Sequence, residues 1–117
     1  GNQSSTTPDY ATYVKVGKLV TATCRLTDIS TSGLTSGNSA YLQGLPYPSN
    51  GEAICTVWVQ NWDIDAGGVQ IIARMFNNGS YIRFENVRDN TSDHSVLVGD
   101  IGNGNSDLAL TMTYTVD

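Results

Sequence analysis

The side chains with the richest chemistry in this chain sit in two stretches, "IIARMFNNGSYIRFEN" (71 to 86) and "TVWVQNWDIDAGG" (56 to 68). In the first, Asn78-Gly79 is the favoured pair for a tight hairpin turn with positive φ at both central residues. The turn sets Phe76 opposite Tyr81, Met75 opposite Ile82, Arg74 opposite Arg83 and Ala73 opposite Phe84. Alternation then sends Ile71, Ala73, Met75, Ile82 and Phe84 to a core, and Arg74, Phe76, Tyr81, Arg83 and Glu85 to the other face. Two opposed arginines repel unless a carboxylate or another anion lies beside them. Two readings of that face follow. In one it binds a glycan, the rings stacking on a sugar and the guanidinium groups holding an acidic substituent. In the other it is a subunit interface, with Glu85 or an acid of a neighbouring subunit neutralising the pair.

In the second stretch, Val57 and Val59 alternate inward with Cys55, which places Trp58 and Trp62 together on the opposite face beside Gln60. Tryptophan platforms bind sugars, and a tryptophan on the second face of a sandwich sheet equally suits contact with another chain or a long loop. Tyr47 joins the set from the corner "QGLPYPSNGEA" (43 to 53), where Pro46 and Pro48 stop a strand because neither can donate to a ladder. That corner is expected to cross from sheet to sheet, turning Leu45 to the core and Tyr47 to a neighbour. The candidate ligand-binding or interface residues are therefore Arg74, Phe76, Tyr81, Arg83, Trp58, Trp62 and Tyr47.

Groups for catalysis are sparse. His94 is the single histidine, and its sequence neighbours Asp93 and Ser95 do not by adjacency make a nucleophile and its base. Asp28, Glu52, Asp63 and Glu85 show no spacing that selects a pair for glycoside hydrolysis. Zinc spacing and a phosphate-cradling loop are missing, and Asp63 and Asp65 lack the residue order of a calcium loop. The expectation is a non-enzyme with neither metal nor cofactor. Asn2, Asn78 and Asn90 open Asn-x-Ser/Thr triplets, each in a segment where asparagine and serine are ordinary turn residues.

The elements that must carry these residues read as strands. In "LVTATCRLTDI", Val20, Ala22, Cys24 and Leu26 share one face. In "LALTMTYTVD", Leu108, Leu110, Met112, Tyr114 and Val116 do the same, so the chain ends inside a sheet. Further strands are expected near 10 to 16, 38 to 44, 52 to 60, 68 to 76, 80 to 87 and 94 to 101. About eight strands with frequent turn signals predict an all-β fold, an antiparallel, jelly-roll-like β-sandwich spanning 10 to 117. Residues 1 to 9, "GNQSSTTPD", are polar and patternless and read as a linker from a preceding segment.

With 117 residues, 39% of them hydrophobic, the chain fits one domain with one core. No apolar run approaches the roughly 18 residues of a membrane helix. The net charge is −5, from 6 basic and 11 acidic residues, and the basic residues are scattered, which argues against a nucleic-acid partner. Cys24 and Cys55 could form one disulfide or stay free; a domain of this size does not need the bridge, so free thiols are expected.

"YATYVKVGKLVTATCRL" followed by "YLQGLPYPSNGEA" resembles the C-terminal domains of bacteriophage tail fibres and related viral adhesins. In those domains a Tyr-x-Lys-[Val/Ile]-Gly-[Lys/Arg]-x-Val-Thr strand pair precedes a Gly-Leu-Pro-[Tyr/Phe] corner. The match covers Tyr13 to about Tyr47. It implies a homotrimeric knob at the tip of a virion fibre or spike, non-enzymatic, recognising a host-surface glycan or protein receptor. It also implies reduced cysteines, since such particles assemble inside the host cell, and it makes 1 to 9 the junction with a fibre shaft. Two alternatives stand beside it. One is a carbohydrate-binding module of a secreted hydrolase, monomeric and with oxidised cysteines. The other is a purely structural trimerisation or virion decoration domain.

Overall fold

Apolar and polar residues alternate along most of the chain, and a computed structural model, which describes residues 3–64 and 66–117, turns those stretches into eight strands. They are β1 (Tyr10–Val16), β2 (Leu19–Leu26), β3 (Tyr41–Leu42), β4 (Ala53–Gln60), β5 (Gly68–Met75), β6 (Ile82–Arg88), β7 (His94–Ser95) and β8 (Asp107–Thr115). All pairings are antiparallel, in the order β1-β2-β8-β4-β5-β6-β3, with β7 also on β6. Among the described residues no α-helix forms, and a single 3-10 turn covers Val98–Asp100.

The sheet folds over at β4. Ala53 to Thr56 pair with β5, whereas Val57 to Gln60 pair with β8. One curled sheet thus makes a sandwich-like pair of halves: β1, β2, β8 and the end of β4 face the start of β4 with β5, β6, β3 and β7. Side chains continue to alternate in and out through the bend. The core lies between the halves, with Val20, Met75, Ile82 and Met112 fully buried.

The hairpin register is the expected one, with Arg74 opposite Arg83 and Ala73 opposite Phe84. The turn differs from the expected type. Asn78 has φ 63°, but Gly79 is not in the left-handed region. Instead, Gly79 N–H closes the turn onto Phe76 O at 2.9 Å. A Cβ on Gly79 would stand 3.0 Å from that oxygen, so the glycine is needed for close approach rather than for φ.

Two expected strands shrink. Of 38 to 44 only Tyr41–Leu42 forms a strand, Ser39 making an isolated bridge to Leu97, and the chain leaves through Gly44 at φ 95°. Of 94 to 101 only His94–Ser95 forms a strand, while Leu97 and Ile101 make isolated bridges to Ser39 and Trp62; Asp100 Oδ2 accepts from Leu97 N–H at 3.0 Å and Gly99 N–H donates to Ser36 O at 2.9 Å. A carboxylate that bonds its own backbone offers the chain an alternative to the ladder.

The proline corner bridges the two halves. Leu45 packs against the core, as expected. Tyr47 meets Tyr13 of β1 edge-on at 5.8 Å, and Tyr47 O accepts from the Tyr114 hydroxyl at 3.1 Å. Its neighbour is therefore within the chain. Asn50 N–H donates to Thr115 O at 2.7 Å, while Ser49 exchanges backbone bonds with Gly79 and Asn78, tying the end of β8 to the hairpin tip. The polar lead, expected as a linker, is described from Gln3 on and lies along the open side opposite β4. Thr6 Oγ1 accepts from Ser30 N–H at 2.9 Å, and Gln3 Nε2 donates to Gln43 Oε1 at 2.9 Å.

Cys24 and Cys55 are free and half-buried. Burial raises both thiols, Cys55 to about 11, with the Cys24 charge as its second cause. Folded, Cys55 should therefore carry roughly a hundredfold less thiolate at pH 8 than an ordinary cysteine of value 9.0. Iodoacetamide at pH 8 is expected to label Cys55 slowly in the native protein and fast after urea, as peptide mass mapping would report. Full native labelling within minutes would contradict it. Because the folded value lies above the unfolded one, the thiols' contribution to stability is complete below pH 9.0 and is lost as the pH rises toward 11.

Candidate functional site

Each half-sheet carries one register row of large side chains on its outer face. On the second half the row runs Ile54, Arg74, Arg83, Tyr41 across β4, β5, β6 and β3. Both arginines find carboxylates inside the chain. Arg74 Nη2 lies 2.6 Å from Glu52 Oε1, and Arg83 Nη2 lies 2.9 Å from Glu85 Oε1. The Arg74 guanidinium is held above its ordinary value, chiefly by the Glu52 hydrogen bond. Both guanidinium carbons stand over the Phe76 ring, at 4.5 and 5.0 Å, and Arg83 also donates to Ser95 Oγ at 2.5 Å.

Two positive groups are therefore matched by two negative ones, and Glu85 is only 2% exposed. The acid expected beside the pair is Glu85, with Glu52 as the second. An acidic sugar substituent is not needed to make the face stable. What remains open to a partner is apolar and aromatic: Ile54 at 60% exposed and Tyr41 at 49%, the latter with its ring 4.9 Å from that of Tyr81.

On the first half the row runs Tyr10, Arg25, Ala109, Trp58 across β1, β2, β8 and β4. Trp58 and Tyr10 are about half exposed. The Arg25 guanidinium lies 5.5 Å from the Trp58 ring centre. Asp9 orients that arginine, its Oδ2 being 3.2 Å from Nε, and Asp9 Oδ1 accepts from Thr27 Oγ1 at 3.0 Å. Because Ala109 is small, a trough of about 340 Å³ opens between the rings, with Thr56 and Thr111 in its walls. The depression is shallow and largely open to solvent, a surface contact rather than an enclosed cavity.

Trp62 does not share this face. It is 9% exposed, meets Phe84 edge-on at 5.1 Å and pairs with Ile101 rather than continuing β4. Asn61 is the cause: its φ of 59° ends the strand and breaks the period of two, so the next side chain turns inward. Asparagine tolerates that conformation, which is the one signal the sequence offered. Tyr10 and Arg25 were missed for want of the strand order, although a two-residue turn at Gly17-Lys18 already implies that they oppose each other.

Of the seven expected residues, then, Arg74, Phe76, Tyr81 and Arg83 stand together on one face, Trp58 stands on the other, Tyr47 packs on β1 and Trp62 lies in the core. Among the described residues no group of three or more histidine, cysteine or acidic side chains gathers to hold a metal; Asp65 lies outside them, as does Asn2. Comparison with protein-family models, with curated proteins and with solved structures finds no match to this chain.

Proposed function

We propose that this domain is a non-enzymatic recognition module that binds a neutral saccharide in the Tyr10–Trp58 trough, borne in a homotrimer at the tip of a viral fibre or spike. The trough carries the reading. Two half-exposed aromatic rings stand at the ends of a row whose middle is Arg25, held by Asp9 and reaching over Trp58, and Ala109. A pyranose would pack against the part of Trp58 that Arg25 does not cover and present hydroxyls to Arg25, Thr56 and Thr111. Arg25 and Asp9 balance in charge, which favours a neutral sugar. The fibre-tip setting rests on the sequence resemblance.

The opposite face serves the trimer. A self-neutralised arginine pair around Phe76 leaves no unpaired charge to desolvate, and the exposed Tyr41 and Ile54 supply the apolar and aromatic surface that interface cores favour. Linking three weak sites raises the effective concentration of each later contact, so modest single-site affinity suffices for attachment. The alternative of a module from a secreted hydrolase expects a Cys24–Cys55 disulfide, which a thiol titration of the denatured protein would detect as the loss of both thiols.

A glycan array on the native oligomer, followed by calorimetry on its best neutral hit, is expected to show Trp58→Ala weakening binding about tenfold or more, for a lost stacking contact of ~1.5 kcal/mol. Ile54→Asp should disperse the trimer in sedimentation without unfolding it. A wild-type protein that sediments as a monomer at tens of micromolar would remove the trimer, and undiminished binding by the Trp58 variant would remove the site.

A further inference from the structure

Opposite the bend in β4 the two half-sheets part, and a cleft of about 1160 Å³ opens between them. Leu26 and Leu110 line it from one side, Leu42 and Phe84 from the other, with Trp62 among them. The chain carries 15% charged residues, yet among the described residues no Asp, Glu, Lys, Arg or His lines this cleft. Polar groups line it as well: Thr6 and Gln3 of the N-terminal segment, bonded to Ser30 and Gln43, and also Thr12, Thr23, Thr35 and Asn38. Among the described residues the buried Trp62 indole Nε1 finds no acceptor.

We infer that the cleft is a binding site for an uncharged apolar small molecule the size of a long-chain alcohol or a sterol. Phe84, Leu110 and Trp62 are already buried, so such a molecule would gain mainly by covering the half-buried Leu26, Leu42 and Leu45, and the gain grows with the area removed from water. A carboxylate or ammonium carried in with it would meet no counter-ion, which selects for a neutral ligand. The rim hydroxyls and the Gln43 amide suit one alcohol or carbonyl group left at the mouth. A strand from a second copy fits less well. The two edges beside the mouth are unequal, seven residues in β1 against two in β3, and the segment from Gln3 to Pro8 already lies along it. This site is separate from the Tyr10–Trp58 trough and does not depend on it.

The protein holds two tryptophans, so Trp58→Phe leaves Trp62 as a reporter within the cleft. N-phenyl-1-naphthylamine, an uncharged probe, is expected to take energy from Trp62 saturably at one probe per chain. Hexadecanol should displace it, and palmitate at pH 8 should do so at least tenfold more weakly. Ala22→Phe, which fills the floor, should reduce probe binding tenfold or more. If that variant fails to fold by circular dichroism, Ala11→Arg decides, since Ala11 is exposed at the rim and the new charge should weaken binding as much. Absence of saturable transfer would overturn the site, and palmitate competing as well as hexadecanol would overturn the neutral class. A probe site that appears only as a dimer dissociates on dilution would mean that a second copy occupies the cleft, and would overturn the proposal too.

Discussion

Trp62→Ala is expected to lower the stability of the domain by about 3 kcal/mol, the low end for removing a buried tryptophan, since the cleft beside it gives room to relax. In urea this should appear as a midpoint lower by roughly 2 M. Trp58→Ala, by contrast, should stay within about 0.5 kcal/mol, because Trp58 is 47% exposed and packs mainly on Arg25. The two residues are four apart in one segment and the same in kind, yet one is packed in the core and the other stands half exposed at the proposed saccharide site. Equal midpoints for both variants would mean that Trp62 is not in the core.

Strict alternation from Cys55 puts both indoles on one face, and the reading of Trp62 as a surface residue rests on that continuity alone. A single left-handed residue, Asn61, breaks it. Local pattern was reliable where the chain stays regular. The β5–β6 register followed from two alternating runs around one turn, and the first strand occupies 10 to 16 as expected. It failed where a side chain competes with the ladder, as Asp100 does at Leu97. What no local pattern holds is the strand order. β8, last in the chain, lies between β2 and β4. That insertion brings Tyr10 and Arg25 into one row with Trp58, although more than thirty positions separate Arg25 from Trp58 in sequence. The trough is a product of topology, and half of it, the Tyr10–Arg25 opposition, was readable from the β1–β2 turn.

The bend in β4 was equally invisible to local reading, since its side chains alternate without interruption from Ala53 to Gln60. It has a functional consequence. Ile54 and Trp58, both outward on one strand, are about 13 Å apart along it, and each belongs to a different half-sheet. The proposed trimer contact at Ile54 and the proposed saccharide at Trp58 therefore use different residues of the one outer surface.

Glu85→Ala is the second large effect. It leaves Arg74 and Arg83 directly opposite each other with only Glu52 between them and solvent. Removing one partner of a buried pair costs about 3–5 kcal/mol, because the remaining charge stays desolvated and unpaired. The Arg83 side chain is 30% exposed, so water offsets part of that loss, and about 2 kcal/mol is expected in a urea melt at neutral pH. Glu52→Ala, whose carboxylate is half exposed, should cost under about 1 kcal/mol. The decisive comparison is the double variant Arg83→Met with Glu85→Leu. If Glu85 acts by neutralising the opposed guanidinium groups, removing the positive and negative partners together should recover most of the stability that Glu85→Ala alone loses. Should the double variant be no more stable than the single one, Glu85 holds β6 by packing or by its contacts to β7. The outer face would then owe its stability to something other than the balance of charge from which a dry subunit contact has been argued.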